Sequence, residues 1–261
     1  MNEKTFLDKI VLSTQKRVQS LKESLALKPR SEPLPSLAKA LKTQKNLNII
    51  AEIKFASPSA GVIRSDLSPI EVARQYIENG AKALSVLTEP EYFKGNPDYI
   101  RLIREEFTDI PILMKDFIID EFQIRLASSL GASAVLLIVG ILKDEELRIL
   151  LNIAREFGLE VLMEVHCREE MLRALDCPGE IIGINNRNLA HLKIELETSR
   201  KLISEFSSRF DLFVCESGLN NHAQLLEFAD LGFSGFLVGS HLMKQASPGH
   251  ALSYMLTGLR D

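Results

Sequence analysis

The chain is predicted to be an α/β protein, a closed (β/α)8 barrel with a helical extension at its N-terminus. Three observations predict it. Eight short, β-rich apolar runs recur at intervals of roughly 20–35 residues, the spacing of repeated βα units. Helix start and stop signals fall between the runs. Most runs end in charged residues or glycines, and the C-terminal ends of barrel strands are where such folds gather functional groups.

Residues 1–43 precede the first run. Phe6, Ile10, Leu12, Val18, Leu21 and Leu25 predict one helix, and Leu34, Leu37, Ala38 and Leu41 a second. The proline-containing stretch 29–35 links them. Residues 1–45 are therefore expected to pack on the barrel as an extension of one domain spanning 1–261.

Residues 48–54 form the first strand. Alternation puts Ile50, Glu52 and Lys54 on one face and Ala51 and Ile53 on the other. Charges in a dry interior are costly unless paired, so this pair marks a site. A loop follows over 55–61. Ser68-Pro69-Ile70-Glu71 then combines an N-cap, a proline at the first helical position and a capping-box glutamate. The helix it starts buries Ile70, Ala73, Tyr76 and Ile77 and closes at Asn79-Gly80.

The second run is 83–88. The third, 111–115, ends in Lys115-Asp116. Asp120 is expected to cap a helix through Ile124, Ala127 and Leu130 that stops at Gly131. Run 134–139 follows, and then Asp144 as the cap of a helix ending near Gly158. Run 160–165 carries Glu164. Run 181–185 leads into Asn185-Asn186-Arg187, and run 212–217 into Glu216-Ser217-Gly218. Asn220 is expected to cap a helix ending near Gly232, and run 235–239 leads into Gly239-Ser240. Eight strands within about 200 unbroken residues favour a closed barrel over a doubly wound open sheet.

Composition excludes several classes. The chain is 46% hydrophobic and 25% charged, ordinary for a globular protein. A net charge of −4 with scattered Lys and Arg argues against nucleic-acid binding. No apolar run approaches the ~20 residues that cross a bilayer. The first 23 residues lack a signal peptide's apolar core, so a cytoplasmic location with no membrane partner is expected. Cys167, Cys177 and Cys215 form no Cys-x-x-Cys pair and fit reduced thiols. The histidines show no metal-ligand spacing, so no metal is expected. Neither a Walker loop nor a Rossmann fingerprint is present, which disfavours nucleotide cofactors.

In a barrel the strand ends meet at one mouth. Alternation turns Lys115 inward with Leu113, Glu164 with Leu162, and Asn185 and Arg187 with Gly183. Two lysines and two or three carboxylates thus face one space. A purely structural ion-pair network is the plain alternative. Ser217-Gly218 and Gly239-Ser240 follow the last two strands, where backbone N–H groups commonly hold phosphate; ordinary turns are the alternative there. These patterns indicate a small phosphorylated substrate and acid–base chemistry.

The same residues resemble a known family. Ile50-Ala51-Glu52-Ile53-Lys54 with Ala56-Ser57-Pro58-Ser59 and Gly61 is similar to indole-3-glycerol-phosphate synthases. So are Ala83-Leu84-Ser85-Val86-Leu87-Thr88, Lys115-Asp116-Phe117-Ile118-Ile119-Asp120, Glu164-Val165-His166, Ile184-Asn185-Asn186-Arg187 and Glu216-Ser217-Gly218. The segments occur in family order across nearly the whole chain. The resemblance implies a (β/α)8 TIM barrel with an N-terminal helical segment. It implies closure of 1-(2-carboxyphenylamino)-1-deoxyribulose 5-phosphate to indole-3-glycerol phosphate with loss of CO₂ and water, in tryptophan biosynthesis. The family uses no cofactor or metal. Contact with other tryptophan-pathway enzymes stays open.

The resemblance also implies roles. Lys115 matches the general acid, its pKa expected to be lowered by burial and by Lys54. Glu164 matches the residue that handles protons in the dehydration. Lys54 is expected at the substrate carboxylate, with Glu52 orienting the lysines. Asn185 and Glu216 are expected at the substrate, and Arg187 at its carboxylate side or at the rim. Ser57 lies on a loop resembling a mobile lid. Phe117 and Leu136 are candidate apolar walls. Ser217, Gly218, Gly239 and Ser240 match the phosphate cradle, and His166 is expected at the rim.

Two departures stand out. Phe55 and Ala60 occupy loop positions that are basic in many members, which is expected to weaken phosphate capture or alter lid kinetics. Asn188 replaces a common Asp. A phosphoribosyl-anthranilate isomerase is the nearest rival, but that chemistry typically needs a Cys and an Asp, and the first strand offers Glu52 and Lys54. A non-catalytic metabolite-binding barrel is the other class, against which Lys115 and Glu164 argue.

Overall fold

Eight parallel strands close on themselves in the computed structural model, which describes residues 6–28, 30, 32–43, 47–188 and 191–259. They are β1 (Ile49–Ile53), β2 (Ala83–Leu87), β3 (Ile112–Lys115), β4 (Ala134–Ile138), β5 (Glu160–Val165), β6 (Ile181–Asn185), β7 (Phe213–Glu216) and β8 (Gly235–Val238). β1 pairs with β2 on one side, Glu52 opposite Ser85, and with β8 on the other, Ala51 opposite Val238. This is the barrel the sequence predicts, with strand ends trimmed by one or two residues.

Alternation along each strand divides the core into two layers. Ala51, Ile53, Leu84, Val86, Val161 and Met163 pack outward against the helices. Ile50, Ala83, Leu113, Leu136, Leu162, Val214 and Leu237 fill the interior. Period-2 side chains on a sheet covered on both faces produce this two-layer core.

The helix Pro69–Glu78 begins with the predicted capping box between Ser68 and Glu71. Asp120 caps Glu121–Leu130, and Gly131 ends it in the left-handed region at φ 88°. Two expected caps are corrected by one residue. Lys143 precedes the helix Asp144–Glu156, so Asp144 opens its first turn, where a carboxylate meets the positive end of the helix dipole. Asn221, not Asn220, caps His222–Asp230 by accepting from the Gln224 amide. Adjacent asparagines cannot be told apart by composition; the register of the turn after β7 decides which one is extended.

The extension packs at both ends of the barrel. Of residues 1–45, positions 1–5, 29, 31, 44 and 45 lie outside the described residues. The short helix Leu37–Leu41 adds Leu37 and Leu41 to the interior cluster. Glu160, at the start of β5, accepts from the Ala38 amide at 2.8 Å and from the Ser36 hydroxyl, anchoring that helix at the N-terminal end of the strands. The long helix Phe6–Ser24 buries Ile10 and Val18 and leaves Leu12 exposed, departing from the sequence expectation.

Arg17 ties the long helix to the other end. Its guanidinium donates two hydrogen bonds to Asp116, at 2.6 and 2.9 Å. The Asp116 carboxylate, fully buried, also accepts from Thr88 Oγ1 at 2.5 Å and from the Phe117 amide at 2.8 Å. Removing one partner of a buried pair leaves an uncompensated charge, so Arg17→Met is expected to destabilise the fold by about 3 kcal/mol. Urea titration measures that loss, and hydrogen exchange is expected to quicken over residues 6–24. Unchanged exchange there would remove the clamp role from this pair.

Candidate active site

The C-terminal ends of the strands surround a cavity of about 980 Å³, its open mouth included. Its lining includes Glu52 and Lys54 from β1, Lys115 from β3, Glu164 from β5, Asn185 from β6 with Arg187 just beyond, and Glu216 from β7. Ser217, Gly218, Gly239 and Ser240 close one side, and Phe117 and Leu136 form part of an apolar wall. Leu87, Phe93 and Ile138 complete that wall, Phe93 lying 6.1 Å centroid to centroid from Phe117. Leu87 belongs to one of the family-like segments, but Phe93 and Ile138 carry no motif, and only closure of the barrel brings them to this wall.

Ser57 is the predicted site residue that the structure does not bring to this lining. Residues Ala56–Ser57 and Gly61–Val62 fold into a two-stranded antiparallel hairpin, where the sequence suggested a plain loop. Ser57 sits buried at its corner, with its hydroxyl unpaired among the described residues. Phe55 packs edge-on against Tyr99 at 5.8 Å, and Ala60 is exposed at the hairpin tip. Arg187 reaches this hairpin, with Nη1 3.5 Å from Ser59 Oγ, and donates to the Leu192 carbonyl at 3.0 Å. Burial lowers its pKa, opposed by Glu52.

Lys115 sits between two carboxylates, donating to Glu164 Oε2 at 2.5 Å and to Glu216 Oε2 at 3.1 Å. Burial pulls its pKa down, but Glu164, Glu216 and Glu52 outweigh burial and hold the ammonium above its ordinary value. This corrects the expectation of a lowered lysine. The carboxylates lie in direct reach, and Coulomb attraction in a dry site is strong. Lys54 pairs with Glu52.

The two glutamates are driven apart. Burial raises both, yet Lys115 and His166 together pull Glu164 well below the usual range. Glu216, beside Lys115 and repelled by Glu164, is pushed up to about 8. Such divergence separates a base from an acid. Asn185 accepts from the Arg187 amide at 2.9 Å, and Asn186 braces the end of β7 by donating to the carbonyls of Glu216 and Ser217 at 3.0 and 3.1 Å.

Two glycines make room for these carboxylates. A Cβ on Gly183 would fall on Glu216 Oε1 and lie 2.7 Å from Leu162 Cδ2. A Cβ on Gly239 would fall on Glu52. Overpacking of this kind costs ~1–3 kcal/mol, so Gly183→Ala is expected to lower the melting temperature and turnover together. Adding Glu216→Asp, which withdraws one methylene, is expected to restore part of the stability. A double-mutant cycle with no coupling would show that the clash is relieved elsewhere. The cradle backbone is special too: Ser217 and Gly218 are consecutive left-handed residues, at φ 66° and 91°. Successive left-handed turns aim N–H groups into a concavity suited to anions.

Comparison with known proteins agrees with this geometry. The family model described as indole-3-glycerol phosphate synthase matches residues 7–255. The chain belongs to the indole-3-glycerol phosphate synthase family. A family member from Campylobacter jejuni subsp. jejuni serotype O:23/36 (strain 81-176) is 42% identical over 258 residues, covering 96% of this chain and 99% of that one. The indole-3-glycerol phosphate synthase of Legionella pneumophila (strain Paris) is 39% identical over 246 residues, covering 90% and 95%. Two solved structures share the fold at 14% identity. A 3-hexulose-6-phosphate synthase gives a TM-score of 0.64 over 80% of this chain and 98% of its own. A tryptophan synthase α subunit from Legionella pneumophila str. Paris gives 0.61 over 92% and 95%.

Proposed function

We propose that this chain closes 1-(2-carboxyphenylamino)-1-deoxyribulose 5-phosphate to indole-3-glycerol phosphate, releasing CO₂ and water. The observation that carries the proposal is the convergence of Lys115, Glu164, Glu216, Lys54 and Glu52 in one cavity beside the Ser217-Gly218 and Gly239-Ser240 turns, in a member of this family. Phosphate rests on those two turns, and the aromatic ring lies against Phe117, Phe93 and Leu136. Lys54, with Glu52 beside it, holds the carboxylate. Asn185, Arg187 and Glu216 bind the sugar hydroxyls and the rim side of the substrate.

The ring carbon bearing the carboxylate attacks the ketone carbon while Lys115 gives its proton to the ketone oxygen. Loss of CO₂ restores the aromatic ring. The new hydroxyl then leaves as water, and Glu164 takes the proton whose loss completes the indole. A charged ammonium favours the first step, because a positioned acid is effective only when it carries its proton. The three cysteines are free thiols, which supports a reducing cytoplasmic setting.

The test is direct. Purified protein is mixed with the substrate and indole emission is followed; the chain contains 0 tryptophans, so the background is low. Indole formation is expected. Absence of product at high enzyme concentration overturns the proposal.

A further inference from the structure

We infer that His166, braced by Glu170, is a positioning residue that keeps Glu164 ionised and aimed at the reaction. The inference rests on Glu164 acting as the proton-handling group. Sequence placed His166 at the rim because it lies two residues beyond Glu164, past the end of β5. The structure places it there half-buried, between two carboxylates. Its Nε2 lies 3.2 Å from Glu164 Oε1, an ion-pair contact without hydrogen-bond geometry, and its Nδ1 hydrogen-bonds Glu170 Oε2 at 3.1 Å. Glu170 Oε2 also accepts from the His166 amide at 2.7 Å, so one carboxylate grips both the backbone and the ring.

The pocket around Glu170 is fitted to it. A Cβ on Gly140, in the turn after β4, would sit 2.6 Å from Glu170 Oε1. No larger residue at 140 would leave the carboxylate its place. The helix Arg168–Asp176 carries other charges, but Arg168 pairs with Glu205 and Arg173 with Asp144. Glu169 is exposed. The turn Val139–Ile141 presents no charge. On the barrel side the facing groups are Glu164 itself, then Lys115 behind it, with Glu216 and Glu52 behind the lysine.

The consequence is a division of labour between the oxygens of Glu164. Oε1 faces His166 and Oε2 faces Lys115. Glu216 also bonds Lys115, but among the described residues no imidazole pairs with it. Two carboxylates competing for one lysine would otherwise share a proton between them. A cation on one of them breaks the symmetry and decides which stays ionised. Flanked by Glu164 and Glu170, the imidazole itself is pushed up to about 10, against the pull of burial. It therefore carries its charge through the neutral range.

Two measurements test this. In the wild-type protein, NMR titration of the imidazoles, with the His166 resonance assigned by its loss in His166→Gln, is expected to show that ring protonated beyond about pH 8. A midpoint near the ordinary value of about 6.5 would overturn the inference whatever the kinetics. The second measurement is the pH profile of turnover. Ionised Glu164 is the required form, and His166⁺ lowers its pKa. His166→Gln is therefore expected to move the acid limb upward by at least about one pH unit, a tenfold loss on the acid side, with KM changed less than about threefold. Glu170→Gln leaves the ring in place but removes one counter-charge. The NMR midpoint of His166 is expected to fall, while the acid limb stays in place because the ring is still charged at acid pH.

A folding defect lowers rates without moving the acid limb or the His166 midpoint. An acid limb unmoved in His166→Gln overturns the inference while leaving the proposed reaction intact. Lack of indole formation by the wild type would fail the reaction itself, and the NMR midpoint would still decide the charge of His166.

Discussion

Lys115→Met is expected to lower turnover by ~10²–10⁴-fold, the usual range for removing a positioned acid, while binding of inorganic phosphate persists. The reason is local. Lys115 is the cation between Glu164 and Glu216, whereas the phosphate turns lie on other strands. Continuous measurement of indole emission reads the first effect, and calorimetric titration with phosphate reads the second. Near-normal turnover would remove Lys115 from the acid role.

The same substitution carries a stability signature. Without Lys115, Glu164 retains His166, but Glu216 loses the cation beside it and must hold a proton to stay buried. Its folded-state pKa, already pushed up to about 8, is expected to rise further. A raised carboxyl contributes stability fully present below its unfolded value, about 4.3, and lost as pH rises through the folded value. Glu216 is protonated in both folded proteins up to about pH 8, so thermal melts of the variant are expected to fall relative to wild type only above about pH 8. A constant difference across that window would show that Glu216 does not take up the proton.

Glu164→Gln is expected to reduce indole formation by ~10²–10³-fold and to uncouple it from decarboxylation. In the proposed sequence Glu164 acts after CO₂ has left, during aromatisation of the new ring. Substrate labelled in its carboxylate is then expected to release CO₂ faster than indole appears. Equal loss of both signals would move Glu164 to ring closure and overturn its assignment. Gln keeps the shape and leaves Lys115 to Glu216 alone, so the charge of the lysine survives and the two residues' effects stay separable.

The barrel was legible because its strands alternate so cleanly. Glu52 and Lys54 on one face, Ala51 and Ile53 on the other, is a statement about backbone geometry alone, and the same logic placed Lys115, Glu164 and Asn185. The turns after β7 and β8 announce themselves by their Ser-Gly and Gly-Ser pairs, although the left-handed backbone falls on Ser217 and Gly218 and not on Gly239. The loops gave less. Ser57 looked like a lid residue, but the hairpin pairing that buries it depends on Gly61 and Val62 folding back onto Ala56. The one-residue error at Asn220 arose because neighbouring asparagines cap equally well; at Asp144 the structure puts Lys143, which makes no side-chain cap bond, in the cap position and the better capping residue one step inside the helix.

Sequence by itself determined the fold class and the faces of the strands, because period and turn chemistry are local properties of a chain, and twelve of the thirteen residues it proposed for the site line one cavity. The protonation pattern was decided only by tertiary structure. Lys115 was expected to be lowered and is raised, because three carboxylates from three strands surround it. His166 was expected at the rim; it lies there half-buried between Glu164 and Glu170, because Glu170 reaches back from the next helix beside Gly140. Arg17 reaches Asp116 across 99 residues of chain. Electrostatic energies depend on distance and burial, and strands brought together by closing a barrel set both.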